Sequence, residues 1–527
     1  MLRALLIPIV CICATAYCIA QPRINQVLHR GNGAEVQTLD PHLAEGVPAA
    51  NILDDLYEGL VTLGKGNRIA PGVAKSWEIM DNGTRYLFRL RRNARWSKGD
   101  PLTAEDFVYG FRRVINPATR STGAQFLSPI AGADAIMHDG AAPESLGVTA
   151  LEPYLLEIRL KAPTPYFMTL LKERFSFPVH RKTIETYGNQ FSRSGRLVSN
   201  GAYMLKDWVV QSHVRLKKNA HYWNADQAAI EEVVYYPVED QSSELKRYRA
   251  GELDYTYEIP NSQFNWVQDN LGDELKIHPY AGIYYFGYNL TKPPFKDNLK
   301  LRKALSLAIN REVITRKITG MGERPAYSWV PDVFSGYSSQ SLKHKEKSQQ
   351  ARNAIARELY QEAGYSRDRP LEVEIRYNTS ENHKKITIAV AAMWKQVLGV
   401  KTRLLNEEWK VFLNNRSQKQ VTQVFRAGFI GYYPFAYLEL MHSNHQMNDT
   451  GYANPEYDTL IERAAVESDA AQRTRLMQQA EQMILNDQVL IPLYVYVSKH
   501  LVKPYVEGYE SNPEDRLYTK DLYIRKE

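Results

Sequence analysis

Gly31-Asn32-Gly33-Ala34-Glu35-Val36-Gln37-Thr38-Leu39-Asp40-Pro41-His42 opens a stretch, running to Arg113, whose reading decides the fold. Asp55-Leu56-Tyr57-Glu58-Gly59-Leu60 and Ala70-Pro71-Gly72-Val73-Ala74-Lys75-Ser76-Trp77 follow. Tyr86-Leu87-Phe88-Arg89-Leu90-Arg91 then leads through Trp96-Ser97-Lys98-Gly99-Asp100-Pro101 to Leu102-Thr103-Ala104-Glu105-Asp106-Phe107-Val108. Physically this is a strand, a Pro-marked turn, a helix at 51–59, a loop under a buried Trp, and a hairpin. A second helix starts behind Thr103, whose hydroxyl and Asp106 three residues on have the spacing of a capping box.

Outward from there, 527 residues are too many for one core, and about three lobes are expected. Hydrophobic content of 44% and charged content of 24% are those of an ordinary globular protein. The 34 Tyr suit a surface that recognises ligands by apolar contact plus a polar tip, although strand cores account for most of them. Residues 1–20 read as a signal peptide, with Arg3 ahead of an apolar run and a cut at Ala20-Gln21. Cys11, Cys13 and Cys18 all fall inside it, so the mature chain is read without disulfides or a thiol metal site. Cys18 is disfavoured as a lipid-attachment site because Thr15-Ala16-Tyr17 before it makes a poor lipobox. Removing Arg3 takes the formal net charge from +7 to +6, too mild, and too free of nucleic-acid motifs, for a nucleic-acid partner.

Further along, Leu151–Leu160 ends in strand alternation, and Val233–Tyr236, a helix at 242–250, Gly251 and a strand at 253–257 read as a βαβ unit. The segment 282–289 reads as a strand crossing into the last lobe. Helices follow at 300–309, 351–363 and 386–398, with strands at 372–377, 402–405 and 491–497. No P-loop, Gly-x-Ser-x-Gly, His-Glu-x-x-His or dinucleotide fingerprint occurs. The reading is therefore of a non-enzyme without cofactor or metal, an exported hydrolase or an adhesin being the rivals. His442-Ser443-Asn444-His445 could seat a metal or a haem edge, and more simply is a solvated loop.

In order and wording these blocks, with Asn200-Gly201-Ala202-Tyr203 and Tyr222-Trp223-Asn224, resemble the periplasmic oligopeptide-binding proteins of ABC importers, solute-binding protein family 5. The resemblance implies a bilobal α/β periplasmic-binding-protein-like fold with mixed sheets and an inserted third lobe. Lobe I would take 21–57, 179–281 and 497–527, lobe II 58–178, and lobe III 282–496. It further implies a monomeric, periplasmic receptor that closes on an oligopeptide or peptide-like ligand and delivers it to an inner-membrane ABC permease. Glu45, Gly46 and Val47 would pair with the ligand backbone from one side and Ala427, Gly428 and Phe429 from the other. His383, Arg416 and Arg426 would meet ligand carboxylates, with Trp409, Tyr494 and Tyr496 walling the site.

One departure bears on the ligand. The family's aspartate for the peptide ammonium is replaced by Tyr432 in a shortened Gly431-Tyr432-Tyr433-Pro434 run, and a glutamate offered near Gly287 is missing too. Enclosing an ammonium without an ionised partner costs on the order of several kcal/mol. Either another acid substitutes, with Glu45, Glu407, Glu408 and Glu439 as candidates, or the ligand lacks a free amine. An amine-blocked or cyclic peptide, a cell-wall fragment, haem or another small solute then stays open, and weak binding of unmodified oligopeptides is expected.

Overall fold

The computed structural model describes residues 26–525 other than 335 and 421. The signal segment and its three cysteines lie outside them. A first strand, β1 (Val27–Gly31), leads into α1 (Val47–Leu56). This helix begins four residues before the expected 51 because Gly46 (φ 83°, ψ 162°) turns the chain and Pro48 occupies the first turn, where no N–H is needed.

The second lobe holds β2 (Ala74–Met80), β3 (Arg85–Leu90), α2 (Ala104–Ile115), β4 (Val148–Glu152) and β5 (Leu155–Arg159). Its antiparallel sheet runs β2-β3-β5-β4. The capping box forms as read, the Thr103 N–H donating to the Asp106 carboxylate over 2.8 Å. The chain then returns as β6 (Tyr203–Val209), β7 (His213–Lys218) and β8 (Glu232–Tyr236). They complete the first lobe's sheet in the order β1-β8-β7-β6, with β1 and β8 parallel. After α3 (Gln241–Arg249) the expected strand at 253–257 shrinks to single bridges from Tyr255 to Arg30 and Val502. The Asp254 carboxylate accepts from the His29 N–H (2.7 Å) and the Tyr505 hydroxyl (2.6 Å), and such side-chain bonds displace a ladder.

The third lobe comprises β9 (Leu275–Tyr288), α4 (Leu299–Leu307), α5 (Gln349–Glu362), β10 (Glu372–Asn378), α6 (Glu381–Leu398), β11 (Lys401–Glu407), α7 (Trp409–Gln418), β12 (Val424–Ile430) and β13 (Leu490–Leu501). With a two-residue edge at Arg324–Pro325, its mixed sheet runs edge-β13-β9-β12-β10-β11. Leu305, Tyr360 and Trp394 from α4, α5 and α6 bury against Phe286 and Ile375 of that sheet. Helix α6 starts five residues before the expected 386, because Ser380 accepts from the His383 N–H and caps it.

Strands β9 and β13 are long enough to belong to two lobes. Their third-lobe halves pair from Ile283 with Val495 onward, and their other halves pair Leu275–Pro279 with Val497–Leu501. Between Pro279 and Ile283 the register shifts, so three residues of β9 face one of β13. The far end of this ribbon reaches the first lobe, where the Thr256 N–H donates to the Leu501 carbonyl (3.0 Å).

Candidate functional site

In the third lobe's sheet, β10, β11 and β12 are parallel neighbours, and the cavity opens where their carboxyl ends diverge. Strands β12 and β10 share only the Val424–Ile375 and Phe425–Arg376 positions. Beyond Phe425, β12 stays paired to β9 through Ile430, while its other edge faces open space. Such an edge presents unpaired main-chain donors and acceptors, the requirement for adding an extended ligand as another strand. The Glu45–Val47 segment of the first lobe lines the same space.

The space is divided into two chambers of about 190 and 180 Å³. A single water occupies roughly 10–15 Å³ on that measure, so each chamber is the size of a ligand residue or two rather than of a packing defect. Gly46, Val47, Trp409 and Gly428 border both and form the waist between them. Glu45, Arg416, Phe429 and Tyr432 line the first chamber; His383, Arg426 and Tyr496 line the second. Ala427 and Tyr494 line neither. Strand parity turns Ala427 into the core while Arg426, Gly428 and Ile430 face the cavity. Tyr494 lies flat on Tyr284 (centroids 4.7 Å apart), one layer behind Tyr496.

The two predicted arginines differ in electrostatic state. Arg416 has its charge answered internally: its Nε lies 2.6 Å from Asp449 and its Nη2 lies 3.9 Å from Glu45. Arg426 has no carboxylate within ion-pair distance among the described residues. It donates to Asn378 Oδ1 (3.2 Å) and the Tyr496 hydroxyl (2.9 Å), lies over the Tyr284 ring, and leaves its buried Nε unpartnered. Beside it, burial, with help from Arg426 and Lys499, holds His383 well below the ordinary imidazole range, so its ring is neutral at pH 7. Its Nδ1 is buried without a partner. An enclosed guanidinium and a neutral imidazole are suited to an anionic or carbonyl oxygen.

Tyr432, which the resemblance sets against an aspartate, meets cations: Lys172 Nζ stands 4.3 Å and the Arg516 guanidinium 5.7 Å from its ring centroid. Of the acids considered as substitutes, Glu45 alone borders a chamber. Glu407 pairs with Arg376, Glu408 caps α7, and Glu439 is buried under the Tyr433 hydroxyl (2.8 Å), where burial pushes it up to about 8. The first chamber contains acids that the sequence did not reveal, namely Asp54, Glu173, Glu514 and Asp515, together with Arg174 and Arg516. Tyr280, thrust out by the β9 register shift, borders both chambers. A sequence signal existed for Asp54 alone: Asp54-Asp55 interrupts the buried face of α1 between Leu53 and Leu56.

The His442/His445 pair does not sit in a solvated loop as read. His445 is buried edge-on to Phe126 and accepts the Met447 N–H, whereas His442 turns toward Glu462 (3.4 Å). Among the described residues no group of three or more metal-ligating side chains converges, and no helix is long and apolar enough to cross a membrane.

The family model for bacterial extracellular solute-binding proteins, family 5, matches residues 68–450. The chain belongs to that family. Among family 5 relatives, the periplasmic oligopeptide-binding protein OppA of Escherichia coli is 41% identical over 508 residues, covering 95% of this chain and 93% of OppA. A probable deoxycholate-binding periplasmic protein of the same organism, YgiS, is 37% identical over 506 residues, covering 95% and 94%. The structure of the E. coli murein tripeptide-binding protein MppA superposes with a TM-score of 0.93 at 37% identity, covering 96% of this chain and 99% of MppA. Haemophilus influenzae OppA in complex with RPPGFSPFR gives 0.92 at 36% identity, with 96% and 100% covered. The unliganded open form of MppA gives only 0.66, at 36% identity and 95% and 98% coverage. The lobes of this family 5 protein are thus drawn together, as in the first two and unlike the open form.

Gly46 shows what this closed arrangement demands locally. A Cβ there would stand 2.9 Å from Trp409 Cζ2 across the waist, on a backbone at φ +83°. The φ strain, about 1–3 kcal/mol, burdens open and closed states alike, whereas the clash burdens closure alone. Gly46→Ala is expected to weaken ligand binding at least tenfold and to leave the liganded protein expanded in small-angle X-ray scattering. Unchanged affinity with a compact liganded form would show that Trp409 gives way.

Proposed function

We propose that this family 5 protein is an exported, periplasmic receptor that captures an oligopeptide or peptide-like ligand between its first and third lobes and presents the closed form to an inner-membrane ABC permease. One observation carries the reading: the unpaired edge of β12 beyond Phe425 faces Glu45–Val47 across the cavity, with the acid-free Arg426 at its start. Main-chain pairing is indifferent to side chains, so such an edge accepts many sequences, and the guanidinium fixes where a carboxylate lies. The relatives' names, OppA and MppA among them, are those of binding proteins, and the protein is read as a receptor without catalysis.

Calorimetry against a pool of tri- to pentapeptides tests this, with native mass spectrometry of the purified protein to detect any ligand it carries. Saturable heat and co-purifying peptides are expected; no heat from any peptide would overturn the reading. New product masses after incubation would favour a hydrolase. A second reading, an amine-blocked or non-peptide ligand, is favoured by the two cations against Tyr432. Binding of deoxycholate or of N-acetylated peptides, with none of the free pool, would select it.

A further inference from the structure

The chemistry lost at Tyr432 has a counterpart elsewhere on the wall of the first chamber, on the same Arg516 that reaches the Tyr432 ring. Asp54, on α1, is 8% exposed and borders that chamber. Its Oδ2 lies 3.1 Å from Arg516 Nε, but its Oδ1 is buried with no hydrogen-bond partner among the described residues. One oxygen of an enclosed carboxylate is therefore left without a hydrogen bond, although Arg516, Arg174 and Lys172 offset its charge, and a ligand N–H would supply that bond. Glu173, which might have competed for such a cation, is already engaged by Lys172 (2.8 Å) and Arg516 (2.8 Å), and Glu514 by Lys172 (2.5 Å).

The charge along the wall points the same way. Five acids border the chamber (Glu45, Asp54, Glu173, Glu514 and Asp515) against three arginines (Arg174, Arg416 and Arg516). The layer behind adds one charge of each sign, Lys172 on Glu173 and Glu514 and Asp449 on Arg416, so the excess of acid remains. Burial raises the pKa of both Asp54 and Glu45, and the nearby arginines oppose that rise without abolishing it. The second chamber also has acids on its wall, Glu258 among them, and differs in holding an arginine, Arg426, that is in no ion pair among the described residues.

We infer that Asp54 Oδ1 accepts the ligand's ammonium, replacing from α1 the acid that the loop after β12 no longer supplies. The inference rests on the peptide reading above. It gives the ligand a direction: amino end in the first chamber, main chain through the Gly46–Trp409 waist, carboxylate toward Arg426.

The test is calorimetry with tri-alanine and its N-acetyl form on wild type, Asp54→Asn and Glu45→Gln. In wild type, acetylation should weaken binding by about 50-fold or more. In Asp54→Asn that ratio should fall toward one, while Glu45→Gln keeps it. Discrimination that survives in Asp54→Asn, or a wild-type ratio near one, overturns the inference and leaves the peptide reading standing. Binding of neither form overturns the inference, and the peptide pool above then decides the reading itself. Should Asp54→Asn not fold, a wild-type crystal soaked with tri-alanine decides: the terminal nitrogen is expected within about 3.2 Å of Oδ1. A nitrogen placed elsewhere, with a water in the 10 Å³ void behind Asp54 serving Oδ1, overturns it.

Discussion

Arg426→Ala is expected to weaken binding of a peptide with a free carboxylate by about 2–5 kcal/mol, roughly 30- to 4000-fold, while hardly moving the melting temperature. The size follows from enclosure, since the ligand carboxylate would keep its desolvation cost and lose its only unshared guanidinium. The small stability effect follows from the partners, a neutral amide oxygen, a phenol and an aromatic face, none of which becomes an unpaired buried charge. Calorimetry and thermal melts on the same preparation check both halves. Affinity preserved with stability lost would mean that Arg426 serves the protein's own acids, Glu258 being the nearest candidate on the second chamber's wall.

Lys172→Met is expected to do the reverse. Lys172, Glu173, Glu514, Arg516 and Asp54 form a buried network joining the end of the second lobe to the carboxyl-terminal segment. Removing one member of a buried pair costs about 3–5 kcal/mol because its partner stays buried and unpaired. Stability should therefore fall by that order in urea, with affinity affected less than in Arg426→Ala. The pH profile carries a second signature. Burial would raise the Glu173 carboxyl, but Arg516 and Lys172 outweigh it and hold the group below its ordinary value of 4.5. The folded state then binds fewer protons than the unfolded one, so this stabilisation is complete above pH 4.5 and is lost on acidification below it. The variant should show a shallower loss of stability in that acid range. An identical acid profile would show that Glu173 owes its ionisation to the neighbouring arginines, Arg516 and Arg174, without Lys172.

Much of the fold was legible because it is written locally. The Thr103–Asp106 box, the strand alternation and the glycine stops each specify an element over a few residues, and the order of blocks specifies the family. The starts of α1 and α6, earlier than the apolar periodicity suggests, are set by Pro48 and Ser380, whose effects are equally local. Of the candidate site, β12, the Glu45–Val47 segment and the lining residues Trp409, Arg416, His383, Tyr432 and Tyr496 were legible in the sequence. Its electrostatics were not. Arg416 is neutralised by Asp449 across 33 positions of sequence and Asp54 meets Arg516 across 462, and no periodicity encodes such pairs. Tyr494 shares the parity of Tyr496 but packs on Tyr284 and lines neither chamber, a difference of depth that alternation cannot express.

The register shift in the β9–β13 ribbon joins two requirements at one point. A regular ladder resists bending, since every hydrogen bond must stretch at once; a place where three residues already face one has fewer bonds to stretch. The same irregularity pushes Tyr280 into the waist of the cavity. On the proposed reading, a guest lying against that ring would bear directly on the ribbon that joins the first and third lobes.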